Sequence, residues 1–489
     1  MEKNGTLLQY FHWYITPEND LWKQLANESE RLSDMGITAV WMPPAFKGSK
    51  GLQSEGYDVY DLYDLGAFKQ KNTVRTKYGS KEDYLSAIEA AHNAGIQVYA
   101  DVIINHLCGA DGTERVPVRK VNPDQRDEFI SDTFEIDAYT KFEYNGRKGL
   151  SDFKWDYHCF TGVDFAEDLQ ETGIFSIQNE YGEGWQDVAE HEVGNYDFLL
   201  GADIDYRNSA VREEIKRWGA WYWQTAQFDG IRMDAVKHVP PAFIAEWLQH
   251  VRDTAGKKLF AVGEYWSPEK LNDMLRFIDL VNGQLSLFDA PLQHNLFNAS
   301  QQGDQYDLRC IFDNTLVATQ PALAVTLIGN HDTQPLQLLQ APLQDWFKPH
   351  AYALILLREQ GYPCVFYPDL YGAAYTDQDN NITISPVPGL EQLINTRKSA
   401  AYGLQRDYFD NPNCIGWTRE GSGEVDGSGC AVLLSNAGDG QKRMELGKQH
   451  AGRRLRNVLS DGQGEVETDA DGWGEFNCPA GGISVWVFV

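Results

Sequence analysis

Basic residues are scarce in this chain. There are 42 Lys and Arg against 71 Asp and Glu, a net charge of −29 over 489 residues. The deficit argues against nucleic acid and anionic membrane surfaces as partners, because both select basic patches. Long apolar runs are also missing, and nothing approaches the roughly 20 residues of a membrane helix. The first residues, Met1-Glu-Lys-Asn-Gly-Thr6, lack the basic start, apolar core and small-residue cleavage site of a secretion signal, and run straight into a strand-like Leu7–Phe11. A cytoplasmic chain follows from that reading; separately, a monomer is the expected state. Cysteine is sparse as well: seven residues, odd in number and scattered, with no Cys-x-x-Cys. Free thiols in a reducing compartment fit this pattern better than a disulfide framework. No Gly-x-Gly-x-x-Gly turn follows the early strands, which counts against an open dinucleotide-binding sheet.

What is present is an ordinary globular composition, 42% hydrophobic and 23% charged. The length suits two or three domains, or one large barrel with additions. Aromatic residues reach 12%, with 14 Trp and 24 Tyr. Such rings pack cores, and they also stack on sugar faces in clefts; composition leaves both open.

The hydrophobic pattern alternates between short continuous runs and amphipathic stretches. Leu7–Phe11, Ile37–Met42, Ile96–Ile104, Phe228–Met233, Leu259–Val262, Leu280–Leu287, Ala324–Gly329 and Gly361–Phe366 read as strands. Helical spacing follows each one, including 307–319 after the sixth strand and 343–360 after the seventh. Continuous apolar strands alternating with helices imply a parallel sheet covered on both faces, and eight units imply a closed (β/α)8 barrel of the α/β class. Residues 1–106 and 209–400 supply the barrel. The stretch 107–208 is rich in Asp, Gly and aromatics and far too long for a loop, so it reads as a subdomain inserted after strand three. Residues 401–489 turn to short alternating segments between Gly, Asp and Asn turns, the pattern of a C-terminal antiparallel β-sandwich domain.

In such a barrel, functional side chains sit at the C-terminal strand ends. The third strand ends Asp101-Val-Ile-Ile-Asn-His106, the fourth Arg232-Met-Asp-Ala-Val-Lys-His238, the fifth Gly263-Glu-Tyr-Trp266, the seventh Gly329-Asn-His-Asp332. One acidic residue at a strand end is usually a helix cap. A whole rim of carboxylates with His106, His238 and His331 suits glycoside hydrolysis, which needs an ionised and a protonated carboxyl about 5 to 5.5 Å apart when the product retains configuration. Asp234 is the candidate nucleophile, because Arg232 two residues away on the same strand face favours its ionised form. Glu264, between Val262 and the Tyr265-Trp266 pair, is the candidate acid. Asp332 is the third carboxylate, positioned to orient sugar hydroxyls, and the histidines can donate to hydroxyls.

These four blocks, in this order and over more than two hundred residues, resemble those of glycoside hydrolase family 13, the α-amylases. Gln9-Tyr-Phe-His-Trp13, Tyr57-Asp-Val-Tyr-Asp-Leu-Tyr-Asp-Leu-Gly66 and Gly194-Asn-Tyr-Asp197 are similar to the bacterial liquefying and cytoplasmic members in particular. The resemblance implies endo-hydrolysis of α-1,4-glucosidic bonds in an α-glucan with retention. It assigns Asp234 as nucleophile, Glu264 as acid/base and Asp332 as transition-state stabiliser. It adds Tyr57 stacked under the sugar, His106, Arg232 and His331 around it, and Lys237 and His238 on the leaving-group side. It also implies a calcium ion held by Asn105, Asp197, Asp203 and the His238 carbonyl, all hard oxygen donors. Liquefying relatives hold further ions with equivalents of Asp164 and Asp205; here Gln186 and Arg207 stand where two more aspartates are expected, so one ion is expected. A transglycosylase or maltooligosaccharide-specific hydrolase is the alternative on the same fold, and a non-catalytic glucan-binding module the remote one.

Overall fold

The computed structural model describes residues 4–460 and 464–489. Eight parallel strands close into a barrel: β1 (Leu7–Gln9), β2 (Ala39–Trp41), β3 (Gln97–Val102), β4 (Gly230–Met233), β5 (Phe260–Gly263), β6 (Ser286–Phe288), β7 (Ala324–Leu327) and β8 (Tyr362–Phe366). They neighbour one another in chain order, and β8 returns to β1 with Leu7 opposite Cys364. The strands are buried almost throughout because helices cover the outside and side chains fill the inside.

Local sequence explains the covering helices. Leu21–Met35 buries Leu21, Trp22, Leu25, Leu32 and Met35 on one stripe, and Gly36 at φ 121° ends it by donating to the Leu32 and Ser33 carbonyls. Lys81–Asn93 starts in a capping box: Ser80 Oγ accepts from the Asp83 N–H, while Asp83 accepts from the Ser80 N–H.

Three expected elements differ. The helix between β6 and β7 is Ala290–Gln302, not 307–319. Asp289 caps it through Leu292 N–H and Pro291 lies in its first turn, whereas 307–319 breaks at Asn314 (φ 54°) into short turns capped separately by Asp307 and Thr315. The sixth strand begins at Ser286, since Leu280 closes a helix and Asn282-Gly283 turn the chain. The helix expected over 343–360 contracts to Lys348–Leu356, with Pro349 fixing its first turn.

Between β3 and β4 lies a seven-stranded sheet of its own. Its first strand, His106–Leu107, leaves the barrel directly after β3, and Ala202–Ile204 pairs with it, Asp203 opposite His106. The sheet therefore hangs on the rim where the strand-end residues emerge. At the other end of the chain, β9 (Cys414–Arg419) and β10 (Cys430–Ser435) belong to a six-stranded antiparallel sheet. A two-stranded sheet of β11 (Gly440–Glu445) and β12 (Trp473–Cys478) faces it. Leu433, Met444, Leu455 and Phe476 fill the space between the two. The other face packs on the barrel: Trp417 donates to the Leu357 carbonyl at 3.2 Å, and Arg358 pairs with Asp407 through two bonds.

Candidate active site

The rim is built around one guanidinium. Arg232 on β4 stands in register with Asp101 on β3 and Val262 on β5, and it is 1% exposed. Its Nη1 donates to Asp234 Oδ1 at 2.7 Å and to Asp101 Oδ1 at 2.9 Å, and its Nη2 lies 4.0 Å from Glu264 Oε2. One buried cation thus reaches three carboxylates from three adjacent strands. Its charge offsets theirs where water is largely excluded.

Past Asp234 the backbone turns sharply. Ala235 adopts φ 47°, a left-handed conformation uncommon for a residue with a side chain. The turn points the Ala235 N–H at Glu264 Oε2, 3.0 Å away. Burial pushes the Glu264 carboxyl up to about 7, with Asp234 adding to the shift and Arg232 opposing it. Burial, then Glu264 and Asp234, push Asp332 up to about 8. Both groups hold a proton near neutrality that an ordinary carboxyl would have lost.

Asp101 is the residue whose role sequence reasoning missed. It is fully buried, and its Oδ2 accepts from Tyr57 Oη at 2.8 Å and Trp41 Nε1 at 2.9 Å while Oδ1 holds Arg232. Burial raises it to about 6 against the opposing pull of Arg232. The available signal was a lone charge inside the apolar strand Val98–Val102. Through Asp101, the Tyr57 ring is tied to the same carboxylate as the rim guanidinium. Tyr57 also lies nearly parallel to His331 (centroids 4.9 Å, 11°) and to Trp13 (5.8 Å, 10°), forming an aromatic wall.

The histidines are held neutral by burial, and each has a definite partner. His331 Nδ1 lies 3.1 Å from Gln9 Nε2, which donates to it, so its proton sits on Nε2, 3.4 Å from Asp332 Oδ2. His238 Nδ1 donates to the Tyr196 carbonyl at 2.6 Å. His106 differs from the sequence expectation of a free hydroxyl donor. Its Nε2 donates to the Tyr57 carbonyl at 2.9 Å and its Nδ1 faces Asn105 Nδ2 at 3.3 Å, so the ring braces the Tyr57 loop. Lys237, one residue before His238, reaches the Trp266 carbonyl at 3.4 Å and lies 5.4 Å from the Tyr196 ring. The sixth strand shows a purely structural counterpart: Asp289 is consumed by the N–H groups of Leu292, Leu316 and Val317.

Of the residues in the implied calcium site, Asn105, Asp197 and Asp203 lie together. Asp197 and Asp203, both buried, lie within hydrogen-bonding reach of each other, and Asn105 Nδ2 is 3.3 Å from Asp203 Oδ1. Burial raises both, with Asp205 adding to Asp197, which reaches about 7, and Asp197 adding to Asp203. Among the described residues neither makes an ion pair; Arg207, which acts on Asp197, is itself bound by Asp205. Two buried carboxylates side by side, next to the Asn105 amide, are donor types that suit a hard cation. Among the described residues no group of three or more His, Cys, Asp or Glu could hold a metal, and this set contains two carboxylates only. Internal donors occupy the neighbouring carboxylates. Arg207 binds Asp205 through Nε at 2.9 Å and Nη2 at 2.8 Å, and Gln186 Nε2 donates to Asp197 at 3.1 Å and to the Ile204 carbonyl at 2.8 Å.

A closed parallel barrel with an acid, a second carboxylate and an arginine on its C-terminal rim defines a glycoside hydrolase. Comparison with known sequences gives the family. Residues 22–384 match the description "Alpha amylase, catalytic domain" and residues 430–487 match "Alpha-amylase C-terminal", so the chain belongs to the α-amylase family, glycoside hydrolase family 13. It is 48% identical to the cytoplasmic alpha-amylase of Escherichia coli K12, over 99% of both chains. It is 42% identical to a glucan 1,4-alpha-maltohexaosidase of Bacillus sp. strain 707, over 99% of this chain and 92% of the relative. Among solved structures, an Anoxybacillus alpha-amylase superposes with TM-score 0.65 at 17% identity, covering 100% of this chain and 98% of that one.

Proposed function

We propose that this protein is an endo-acting α-amylase that hydrolyses α-1,4-glucosidic bonds of starch, glycogen or maltodextrins with retention of configuration. The observation that carries the reading is the Arg232 bridge. It bonds Asp234 directly and leaves Glu264, 4.0 Å from its other nitrogen, raised to about 7. Asp234 attacks the anomeric carbon as a carboxylate. Glu264 gives its proton to the leaving glycosidic oxygen, then takes one from water as the glycosyl-enzyme opens. Asp332, still protonated near neutrality, donates to ring hydroxyls as positive charge builds on the sugar. The Tyr57 ring, in the aromatic wall with His331, is the face on which that sugar stacks, and His331 Nε2–H lies 3.4 Å from Asp332 Oδ2. Lys237 and His238 flank the leaving-group side.

Asn105, Asp197, Asp203 and the His238 carbonyl would hold one calcium ion. When bound, it supplies positive charge to two carboxylates that otherwise repel each other. The 2.6 Å bond from His238 to the Tyr196 carbonyl, next to Asp197, already ties this region to β4.

The same geometry serves a maltooligosaccharide-specific hydrolase or transglycosylase, and the maltohexaosidase relative favours keeping that second reading. A non-catalytic glucan-binding module has no use for three carboxylates converging on one arginine. The E. coli relative's name supports a cytoplasmic protein, and among the described residues no helix is long and apolar enough to cross a membrane. The net charge of −29 disfavours nucleic acid, and a monomer acting on a soluble glucan fits these features.

Asp234→Asn and Glu264→Gln assayed on soluble starch test the mechanism, with loss of nearly all reducing-end release expected in both. Wild-type turnover in either overturns it. Transfer products outnumbering new reducing ends would favour the transglycosylase.

A further inference from the structure

Six of the seven cysteines are buried or half-buried, and two of them meet. Cys414 opens β9 in the six-stranded sheet of the C-terminal domain, and Cys478 closes β12 in the facing two-stranded sheet. Cys478 pairs in register with Gly440 on β11. A Cβ added at Gly440 would stand 2.6 Å from Cys478 Sγ and 2.8 Å from Cys414 Sγ, so the two sulfurs flank a gap that only glycine leaves open. The two thiols lie close enough to shift each other's titration.

The two thiols are also unequal. The neighbouring Cys478, then Lys442 and the Gln441 N–H, lower Cys414 to about 7, while the neighbouring Cys414 and burial push Cys478 up. Elsewhere burial raises Cys159, Cys364 and Cys430 to about 12 each, which leaves them inert thiols. Cys478 lines an open cavity of about 650 Å³ together with Gly440, Asn477 and Trp486. The cavity reaches Cys478, and Cys414 beside it is 9% exposed, so a small oxidant has a path to the pair.

We propose that Cys414 and Cys478 form an oxidation site that closes to a reversible disulfide and staples the two sheets of the C-terminal domain. The oxidant is a peroxide. Cys414 thiolate attacks one peroxide oxygen, breaking the O–O bond, releasing hydroxide and forming a sulfenic acid. Cys478 sulfur then attacks the Cys414 sulfur, the S–O bond breaks, and hydroxide leaves to take up the Cys478 proton as water. In sum two thiols and one hydrogen peroxide give one disulfide and two waters. The new bond closes the long loop between β9 and β12, which restricts the unfolded chain and raises the unfolding midpoint.

The test treats the full-length protein with one equivalent of hydrogen peroxide, then counts thiols after denaturation and maps peptides without reduction. The expected result is a fall from seven thiols to five, a single peptide pair linked through Cys414 and Cys478, a higher unfolding midpoint, and reversal of all three by dithiothreitol. In Cys478→Ser, the Cys414 sulfenic acid should persist and be trapped by a cyclic dione. Retention of seven thiols, loss confined to exposed Cys310, or oxidation of Cys414 to sulfinic acid without linkage overturns the proposal.

Discussion

Arg232 and Asp101 face each other across adjacent barrel strands, joined at 2.9 Å, and neither is open to solvent. Asp101 is fully buried, yet it fixes the guanidinium that binds Asp234 and the hydroxyl of Tyr57.

Replacing Asp101 with Asn keeps the shape and removes the charge. Breaking one side of a buried ion pair costs about 3 kcal/mol, because the partner is left uncompensated. Both the unfolding free energy and kcat/KM on starch are expected to fall, the latter by about 100-fold if the loss is felt in the transition state. Denaturant unfolding and steady-state kinetics measure the two. Wild-type kcat/KM in a folded variant would show that Arg232 and Tyr57 hold their places without it.

The alkaline limb of activity follows from Glu264. Its carboxyl is raised from 4.5 to about 7, so it carries its proton below that value and loses it above. Turnover is expected to fall as pH rises through about 7, since the leaving oxygen then lacks a donor. A kcat/KM profile flat from pH 6 to 9 would remove Glu264 from the acid role.

Asp332 gives a stability signature separate from activity. Its folded value is about 8 against 3.8 unfolded, so the folded state binds more protons in between. Stability contributed by the protonated group is complete below about 4 and is lost as pH rises through 8. Asp332→Asn cannot ionise, so its melting temperature should gain on the wild type steadily from pH 4 to pH 8 in calorimetry. A constant difference would mean that Asp332 titrates normally.

Arg207 holds Asp205, which is completely buried, through two bonds. Arg207→Ala strands that carboxylate and should destabilise the protein by about 3 kcal/mol, measured by denaturant titration. A loss under 1 kcal/mol would show that water replaces the guanidinium.

Exhaustive chelation addresses the calcium ion. The raised pair Asp197 and Asp203 should then be left repelling, with a lower melting temperature and lower turnover, both restored by added calcium. Melting and turnover unaffected by EDTA would remove the ion from the proposal.

The sequence by itself determined the eight-strand alternation, because continuous apolar runs and amphipathic helices are written locally. It determined the rim as well, because the chemistry-bearing residues follow strand ends at fixed offsets: Asp234 two residues after Arg232, Glu264 after Val262-Gly263, Asp332 after Asn330-His331. The inserted sheet was partly legible. Ile136, Ala138 and Thr140 alternate inward on the strand Phe134–Lys141, but polar residues between strands hid the longer pattern. The helix at 290–302 was missed because its start lies in a side-chain cap, not in periodicity. Only the tertiary structure decided which distant residues meet. Asp101 serves Arg232, Tyr57 and Trp41; Gln9 sets the His331 tautomer; His106 braces a loop instead of offering a free donor; Cys414 finds Cys478 across two sheets. Those pairings depend on strand register and sheet packing between segments far apart in the chain, and local spacing does not encode them.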